Sequence, residues 1–337
     1  MNKLILDVDS VGDDILAMLY AALNRNVELL GITTVIGAAG SIKQATNVAL
    51  ETIELTGKNI KVFEGESRPY LEKDINNGDP VNFFEEFRWK FGDRLKDFNT
   101  IVEETNLKKQ NEHAVDFIIR SIEENRNEIS LIFTGPLTNL ARVVEKRPDV
   151  VKYIKKTYIL GGAFKYPGNI SPVTEYNIQA DPEAAKIVFN SDLEITLVPL
   201  DVCENNEFAS SMMTRDHISD LRYLNKDSRV VNYIENKFPI YIDMWRTYFD
   251  LAGFPMDDVI TVALACGFSD VEYYPPVSVD VELEGKYSRG QTIAFFWNQV
   301  NKYSNRNRKN VSIVKSISGK SFMKEFVDVV SERRDCI

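Results

Sequence analysis

Histidine and cysteine, the residues that most often bind transition metals or act as nucleophiles, are scarce in this chain of 337 residues. It holds two histidines and three cysteines. The cysteines, Cys203, Cys266 and Cys336, are odd in number and widely spaced, so the sequence predicts neither a disulfide framework nor a zinc site. Buried or unreactive thiols are the simpler interpretation.

Long apolar runs and an excess of positive charge are also missing. No stretch approaches the roughly eighteen unbroken apolar residues that a membrane span requires. The chain runs from Met1 into a strand-like segment without the apolar core of a secretory signal, so we expect a cytoplasmic protein. The net charge of -10 opposes binding to phosphate backbones and anionic membranes. We therefore expect a small-molecule partner, with no nucleic acid and no membrane.

Apolar strand-like runs alternate with segments of helical periodicity along most of the chain. This alternation predicts a single α/β domain over residues 1–337, with a mostly parallel central sheet flanked by helices. Predicted strands lie at residues 4–8, 27–35, 129–135, 158–160, 194–199 and 277–281. Predicted helices lie at residues 13–23, 41–55 and 113–124, and another begins at Pro136. Residues 64–111 are polar and aromatic with little periodicity, which indicates an insertion over the edge of the sheet.

The stretch LDVDSVGDD at residues 6–14 places four carboxylates within eight positions, directly after an apolar strand. Asp7 and Asp9 alternate onto one face of that strand, and Asp9 and Asp14 can converge at its carboxyl end. Carboxylates held so close repel one another unless their pKa values rise or a hard cation such as Ca²⁺ or Mg²⁺ binds them. In the alternative interpretation, Asp13 caps the following helix and Asp7 faces solvent. Open α/β sheets bind ligands at the carboxyl ends of their strands, which favours the cation.

Two enzyme families have motifs similar to this stretch. DVDSV resembles the signature of haloacid-dehalogenase-type phosphatases, which would make Asp7 the phosphorylated nucleophile and Asp9 the acid/base. The matching segment is short, and the lysine that this family requires would have to be a residue such as Lys155. By the same resemblance, the remaining site residues would be Thr134, Asp257 and Asp258.

The second resemblance covers far more of the chain. The opening LDVDSVGDDILAML is similar to the Asp-x-Asp-x-x-x-Asp-Asp motif of the inosine-uridine-type nucleoside hydrolases. Further motifs of that family follow in the same order: LLGITTVIG, FTGPLTNLA, ILGGAF, PGN, EYN, DPEAAKIV, ITLVPLDV and DDVITVALA. The match extends from the N-terminus to about residue 265. Several motifs in one order are a far more specific signal than any one of them alone.

In that family, one Ca²⁺ at the bottom of the pocket holds two ribose hydroxyls and the attacking water. The resemblance implies that Asp9, Asp14 and Asp258 bind the metal through their side chains, and Thr134 through its backbone carbonyl. All four supply oxygen, the donor that Ca²⁺ prefers. Asp9 would also take the proton of the water, and Asp7 would orient a ligand or the neighbouring backbone from behind.

The resemblance also implies which residues bind the substrate. Asp13 lies where the family binds a ribose hydroxyl, and Leu160 lies where a side chain packs beneath the ribose. Asn169, Glu175 and Asn177 match the sugar-binding loop. In the alternative interpretation, these three residues only satisfy the backbone of the glycine-containing turn that precedes them.

This sequence departs from the family at two positions. Ala38 stands where the family presents an asparagine to the sugar, and Asp257 stands where the best-known members carry the histidine that protonates the departing base. The two histidines of the chain, His113 and His217, are interpreted as capping or surface residues. Asp257 is therefore a candidate catalytic acid, although a neighbouring Ca²⁺ would lower its pKa.

Tyr241, Trp245 and Tyr248 lie three or four residues apart in YIDMWRTYF, on one stripe of a helix. The spacing alone is typical of a core face. At this place, however, the family sends a helix over the base, and members that lack the histidine activate a purine by stacking it between aromatic side chains. Tyr241 and Trp245 are therefore candidate base contacts, and purine nucleosides are slightly favoured.

Taken with the resemblance, the sequence predicts a Ca²⁺-dependent hydrolase that splits the N-glycosidic bond of ribonucleosides into ribose and free base. Two alternatives stay open. One is a phosphatase of the first family, and the other is a non-catalytic protein that only binds a riboside. The resemblance also implies a homodimer or a homotetramer.

Overall fold

A central sheet of eight strands organises the computed structural model, which describes residues 1–71, 105–296 and 308–332. In chain order, the strands of the described residues are β1 (Asn2–Val8), β2 (Val27–Thr34), β3 (Val62–Glu64), β4 (Ile129–Phe133), β5 (Lys156–Leu160), β6 (Ile195–Val198), β7 (Val271–Tyr273), β8 (Val279–Val281), β9 (Thr292–Ala294) and β10 (Val311–Ile317). The sheet has the order β3-β2-β1-β4-β5-β6-β10-β7. Every neighbouring pair in it is parallel except β10 with β7, while β8 and β9 form a separate antiparallel pair.

Helices cover the sheet, which confirms the predicted α/β class. The α-helices are α1 (Asp13–Leu23), α2 (Ile42–Thr56), α3 (Ala114–Glu124), α4 (Thr138–Lys146), α5 (Tyr176–Ala180), α6 (Pro182–Phe189), α7 (Leu200–Cys203), α8 (Arg215–Asn225), α9 (Arg229–Tyr248), α10 (Asp257–Cys266) and α11 (Gly319–Val330). Short 3₁₀ helices lie at Val151–Tyr153 and Asn206–Ser211. In this described part of the chain, no helix combines the length and the apolar character needed to cross a bilayer.

The strand β1 shows why the strands of this chain are unbroken apolar runs. Leu4 and Leu6 pack into one hydrophobic cluster with α1, α10 and α11, whereas Ile5, between them, packs into another with α3, α4 and α6. Successive side chains of a strand point to opposite faces of the sheet. A parallel sheet that is covered by helices on both faces therefore needs apolar residues at consecutive positions.

The neighbouring strands β1 and β4 mark the point where the chain reverses its direction of travel across the sheet. From β1 the chain proceeds outward through β2 to β3, whereas from β4 it proceeds through β5 to β6. The loops that follow β1 and β4 therefore diverge and leave a crevice at the carboxyl edge of the sheet. Asp9 follows β1 and Thr134 follows β4, so two of the predicted metal-binding residues lie at this crevice.

Local signals set several helix boundaries. The predicted helix at residues 41–55 is confirmed as α2, where Ser41 Oγ accepts a hydrogen bond from Gln44 N at 3.2 Å. It ends at Gly57, whose φ of 65° lies in the left-handed region that glycine adopts easily. The helix predicted to begin at Pro136 begins instead at Thr138, because Gly135 and Pro136 still belong to the loop that passes over the crevice.

Two strand predictions also differ from the structure. The strand predicted at residues 277–281 corresponds to β8, but β8 pairs with β9 and not with the central sheet. The strand β10, which completes the central sheet beside β6, lies where the sequence pattern predicted no strand. The insertion predicted at residues 64–111 lies largely outside the described residues, which exclude 72–104.

Candidate active site

The acidic stretch after β1 forms a tight loop that contains two residues with left-handed backbone conformations. Ser10 has a φ of 64° and Gly12 has a φ of 62°. Such a conformation costs a residue like serine about 1–3 kcal/mol, whereas glycine adopts it freely. The loop brings Asp9, at its start, against Asp14, in the first turn of α1.

Asp14 is buried beneath the floor of the cleft and is held by several contacts. Its Oδ1 accepts a hydrogen bond from Thr134 Oγ1 at 2.6 Å, and its Oδ2 accepts one from Val11 N at 3.2 Å. Its carboxyl group also lies against that of Asp9. Asp14 therefore contacts both the residue that follows β1 and the residue that follows β4.

Asp9 lines the cleft and is enclosed on two sides by backbone. Ala38 N donates a hydrogen bond to its Oδ2 at 2.8 Å. A Cβ atom on Gly37 would lie 2.6 Å from Asp9 Cβ, and one on Gly135 would lie 3.0 Å from Asp9 N. Both positions require glycine because the loops after β2 and β4 pass directly over Asp9.

The start of α10 brings two further carboxylates to the floor. Asp258 N donates a hydrogen bond to Asp13 Oδ2 at 2.8 Å, which ties the first turn of α10 to the first turn of α1. Asp257 and Asp258 are buried, and in each the Oδ1 atom has no hydrogen-bond partner among the described residues. A buried carboxylate oxygen is costly to leave unpaired unless a ligand supplies its partner.

Burial raises the pKa of the aspartates in this floor and of Asp14 beneath it, because it disfavours the charged form. The pKa of Asp13 rises to about 6. The pKa values of Asp9, Asp14, Asp257 and Asp258 are also raised. After burial, repulsion from Asp9 raises the pKa of Asp14, and repulsion from Asp13 raises that of Asp258. A cation bound among these groups would relieve that repulsion.

The donor set of this floor fits a hard divalent cation by its chemistry. Asp9, Asp14 and Asp258 offer carboxylate oxygens, and the Thr134 carbonyl already accepts a hydrogen bond from Asn177 Nδ2 at 2.8 Å. A carbonyl oxygen has two lone pairs, so this bond leaves one for a metal. In the described ranges, no three His, Cys, Asp or Glu side chains are arranged as a ready-made ligand set. The fit therefore rests on the unpaired Asp258 oxygen and on the hardness of the donors.

Asp7 lies outside the cleft, although it is only two residues from Asp9. It is fully buried, and its Oδ2 accepts hydrogen bonds from Thr33 Oγ1 at 2.5 Å and Asn139 Nδ2 at 2.7 Å. Asn139 also donates to Thr34 O at 3.0 Å, so Asp7 supports the end of β2 from behind. The two aspartates have different surroundings because β1 ends before Asp9, where the chain turns into the loop.

This placement of Asp7 opposes the phosphatase interpretation. A phosphorylated nucleophile must be reached by its substrate, yet Asp7 has an exposed fraction of 0%. Lys155 Nζ donates a hydrogen bond to Asn2 Oδ1 at 3.1 Å, at the amino end of β1 and on the opposite edge of the sheet from the cleft. The residues that the phosphatase hypothesis requires are therefore not assembled in one place.

The predicted sugar-binding loop closes one side of the cleft. Glu175 caps α5: its Oε1 accepts a hydrogen bond from Asn177 N at 2.7 Å, and its Oε2 accepts bonds from Ile178 N and Gly162 N at 3.1 Å each. Part of the alternative interpretation is thus correct, because this side chain does satisfy the backbone of the turn that contains Gly162. The same carboxyl group nevertheless lines the cleft.

Asn169 connects the sugar-binding loop to Glu204, a residue absent from the sequence-based predictions. Asn169 Oδ1 accepts a hydrogen bond from Tyr176 N at 3.0 Å, and its Nδ2 donates to Glu204 Oε1 at 3.2 Å. Glu204 follows α7, is buried and lines the cleft. Burial and, after it, repulsion from Asp13 raise the pKa of Glu204 to about 7. Its position soon after β6, like that of Asp9 after β1, is a sequence signal for the carboxyl edge of the sheet but not for the partners that it contacts.

The helix α9 and the residue after it form an aromatic wall on the other side of the cleft. Tyr241, Met244 and Trp245 line the cleft from the helix, and Phe249 lines it from the position that follows. The ring centroids of Tyr241 and Trp245 are 6.2 Å apart, and those of Trp245 and Phe249 are 5.9 Å apart. Tyr248, predicted on the same stripe, does not line the cleft.

These elements enclose about 910 Å³ of empty space, part of it open to solvent. Of the residues predicted to bind the metal or the substrate, Asp14 alone does not line this cleft and lies beneath its floor. The predicted residues that line it are Asp9, Asp13, Thr134, Leu160, Asn169, Glu175, Asn177, Tyr241, Trp245, Asp257 and Asp258. The lining residues that were not predicted as contacts are Val11, Gly12, Ala38, Tyr176, Glu204, Met244, Phe249 and Pro255.

Neither histidine lies in the cleft. His113 Nδ1 accepts a hydrogen bond from Val115 N at 3.3 Å as the N-cap of α3, and His217 Nδ1 accepts one from Thr214 N at 3.1 Å at the start of α8. The capping interpretation of both residues is confirmed. Among the described residues, the cleft is lined by six carboxylate side chains and by no lysine, arginine or histidine.

Known proteins with the same fold are nucleoside hydrolases. The chain matches the family model described as inosine-uridine preferring nucleoside hydrolase over residues 4–324. It is 30% identical over 308 residues to the inosine-uridine preferring nucleoside hydrolase of Crithidia fasciculata, covering 88% of this chain and 89% of that one. It is 27% identical over 338 residues to a pyrimidine-specific ribonucleoside hydrolase of Escherichia coli, covering 98% and 97%. The structure of a purine-preferring ribonucleoside hydrolase from Gardnerella vaginalis matches with a TM-score of 0.82 at 29% identity and covers 98% of each chain.

Proposed function

Because the chain belongs to the inosine-uridine preferring nucleoside hydrolase family, we propose that it is a metal-dependent enzyme that hydrolyses ribonucleosides to ribose and free base. The observation that carries this proposal is the composition of the cleft. A floor of buried aspartates faces an aromatic wall, and a loop of amide and carboxylate groups lies between them. Such a cleft offers polar partners to a sugar and a flat apolar surface to a base.

We assign the general base to Asp9. It lines the cleft, and its carboxylate can accept a proton from a water molecule beside it. The Ala38 N–H group donates a hydrogen bond to one of its oxygens. The backbone at Gly37 and Gly135 packs against Asp9 and leaves its side chain little room to move. Asp9 is therefore positioned to take a proton from a water molecule that attacks C1′ of the ribose.

The remaining carboxylates stabilise the charge that develops on the sugar. Breaking an N-glycosidic bond leaves the ribose with oxocarbenium character, so nearby negative groups stabilise the transition state more than the ground state. Asp13, fixed through its Oδ2 by Asp258 N, is assigned to a ribose hydroxyl. Asn169, Glu175 and Asn177 are assigned to the other side of the sugar.

Members of this family are typically metal-dependent, and we propose that the metal here is Ca²⁺. Its ligands would be Asp9, Asp14, Asp258 and the backbone carbonyl of Thr134, all of which supply hard oxygen donors. When bound, the cation lowers the pKa of a water molecule and binds the hydroxyls of the ribose. Asn177, which holds the Thr134 carbonyl through its Nδ2, keeps that carbonyl oriented.

The base end of the cleft supports a slight preference for purines. Tyr241 and Trp245 present rings to the cleft, and a purine offers a larger surface for stacking than a pyrimidine. Asp257, at the start of α10, is assigned to this end as a residue that hydrogen-bonds the base. The relatives include both pyrimidine-specific and purine-preferring enzymes, so the preference needs a direct measurement.

The experiment is a reducing-sugar assay on inosine, adenosine, uridine and cytidine with the purified protein. We expect ribose release from all classes of ribonucleoside, fastest with a purine, and loss of the activity in a chelator with recovery in Ca²⁺. Binding of a nucleoside by calorimetry without turnover in Ca²⁺ would support the non-catalytic alternative and contradict the proposal. Release of phosphate from phosphate esters, without release of ribose, would favour the phosphatase.

Three sequence-based expectations remain predictions. A single domain over residues 1–337 would show one cooperative unfolding transition. The assembly into a homodimer or homotetramer can be measured by light scattering of the purified protein. The cytoplasmic location can be measured by cell fractionation.

A further inference from the structure

A departing base needs a proton, and the cleft has few groups that can supply one. The base leaves with the electron pair of the N-glycosidic bond, so protonation of a ring nitrogen in the transition state lowers the barrier. In the described part of the chain, no histidine, lysine or arginine lines the cleft. Two tyrosines, Tyr176 and Tyr241, line it, but burial raises the pKa of both hydroxyl groups and makes them weak acids. The donor for the proposed reaction is therefore one of the six carboxyl side chains of the cleft.

Most of these carboxyl groups already have another task. Both oxygens of Glu175 accept backbone N–H bonds, so this group acts as an acceptor. Asp13 accepts the N–H of Asp258, and Asp9 and Asp258 belong to the proposed metal-binding set. Asp257 is adjacent in the chain to Asp258, where a cation would favour its charged form.

Glu204 differs from these residues because it connects the two sides of the cleft. It comes from the segment after β6, apart from the floor of aspartates. Its Oε1 accepts the bond from Asn169 Nδ2 on the sugar side, and its carboxyl group interacts electrostatically with the side chain of Trp245 on the base side. A group held between a sugar contact and a base contact lies at the level of the bond that joins sugar and base.

We propose that Glu204 is the catalytic residue that protonates the leaving base, an inference that rests on the proposed function. The N-glycosidic bond breaks, and its electron pair passes to the base, which takes the Glu204 proton at a ring nitrogen. The oxygen of water bonds to C1′ and its proton passes to Asp9. Proton exchange with solvent then restores both carboxyl groups, so the products are ribose and the neutral base.

The electrostatic surroundings of Glu204 suit this role. Burial is the main cause that raises its pKa to about 7, and repulsion from Asp13 of α1 and Glu175 of the sugar-binding loop adds to it. Asp257 of α10 and Tyr166 of the loop before α5 also face this carboxyl group. The hydrogen bond from Asn169 and the interaction with Trp245 lower the pKa of Glu204. A donor whose pKa lies near neutrality is the most effective kind in water at neutral pH.

The test compares two leaving groups in two matched glutamate variants. Inosine releases a base that needs a proton, whereas p-nitrophenyl riboside releases a stable phenolate that does not. We expect Glu204→Gln to lower kcat on inosine by about 10²–10⁴-fold and to change kcat on the phenyl riboside by less than about threefold. Glu175→Gln is the matched control, because a buried sugar-side glutamate should affect both substrates equally.

The pH profile provides a second measurement. The wild-type rate on inosine should fall as the pH rises through the pKa of the donor, and this alkaline limb should disappear in Glu204→Gln. Equal losses on both substrates would assign Glu204 to positioning Asn169 and Trp245 and would overturn the proposal. A selective loss in Asp257→Asn, with none in Glu204→Gln, would also overturn it. If the wild-type protein hydrolyses neither substrate in Ca²⁺, it is the proposed function that fails.

Discussion

Four aspartates that lie within eight positions of the sequence acquire four different environments. Asp7 is buried against Thr33 and Asn139, whereas Asp9 faces the cleft beneath a backbone N–H group. Asp13 accepts the backbone of α10, and Asp14 lies below the floor against Thr134. At the scale of the residue, chemistry is therefore assigned by the partner that each side chain meets and not by its position in the motif.

Replacing Asp9 tests the assignment of the general base. Asp9→Asn keeps an oxygen that can accept the Ala38 N–H bond, so we expect the variant to fold. It removes the group that takes the proton, so kcat on inosine should fall by about 10²–10⁴-fold. Near-normal turnover would refute the assignment, and Asp149→Asn, at an exposed ion pair with Arg147, should retain full activity.

Replacing Trp245 tests the preference for purines. Stacking of a base on an aromatic side chain contributes about 1–3 kcal/mol, so Trp245→Ala should lower kcat/KM for a purine nucleoside by roughly tenfold or more. The loss on uridine should be smaller because a pyrimidine has less surface to stack. Equal losses on both classes would remove the reason for the preference. Tyr223→Ala on α8, where the side chain is 89% exposed, is the control that should change neither value.

At the scale of the element, the site consists of loops at the carboxyl ends of parallel strands. The loop after β1 supplies Asp9, and the loops after β2 and β4 pass over that carboxylate so closely that each carries a glycine there. Strand pairing fixes where these loops begin, because β1 lies between β2 and β4 in register. The sheet thus fixes the positions of the loops, and the loops supply the side chains that line the site.

A methyl group in the loop after β2 should displace the carboxylate of Asp9. In Gly37→Ala, the new Cβ would lie 2.6 Å from Asp9 Cβ, so one of the two must move. We expect at least about a tenfold loss of kcat and a lower Tm, since overpacking typically costs about 1–3 kcal/mol.

Gly40→Ala, in the same loop, is the matched control. Its Cβ would meet nothing within 4 Å, but its φ of +77° disfavours alanine, so it should lower Tm while turnover stays normal. Equal turnover in the two variants would contradict the steric argument.

At the scale of the whole molecule, the fold brings together carboxylates that repel one another. Residues from the two ends of the matching region meet where Asp258 N bonds to Asp13, although 245 positions separate them. The net charge of -10 is therefore concentrated in part at a buried site, where burial raises the pKa values. Such a concentration destabilises the ligand-free fold and makes the site selective for cations.

This charge concentration predicts a pH dependence of stability for the metal-free protein. The pKa of Glu204 rises from 4.5 to about 7 on folding, so the folded state binds more protons than the unfolded state between these values. The free energy of unfolding should therefore fall as the pH rises through this window, by up to about 1.4 kcal/mol per pH unit for one group. Denaturant unfolding of wild type and Glu204→Gln at about pH 5 and about pH 7 measures it. A slope that Glu204→Gln leaves unchanged would contradict this contribution.

Much of the fold and most of the candidate site could be predicted from the sequence alone. The apolar runs of β1, β2 and β4 and the capping residues of α2 are local signals, because strand periodicity and helix capping depend on neighbouring residues. The motif resemblance was sufficient to predict that Asp9, Thr134 and Asp258 lie at one site. The matching of residues 4–324 to the family confirms the resemblance.

Only the tertiary structure decided which side chains meet across the cleft. Glu204 carries no motif, and its partners Asn169 and Trp245 lie 35 and 41 positions away, so its role as a bridge is invisible to local patterns. The strand β10 was missed for a similar reason, since its place beside β6 depends on long-range pairing. Local sequence determines what each segment can form, whereas burial and distant contacts determine the surroundings of each carboxyl group and therefore its pKa.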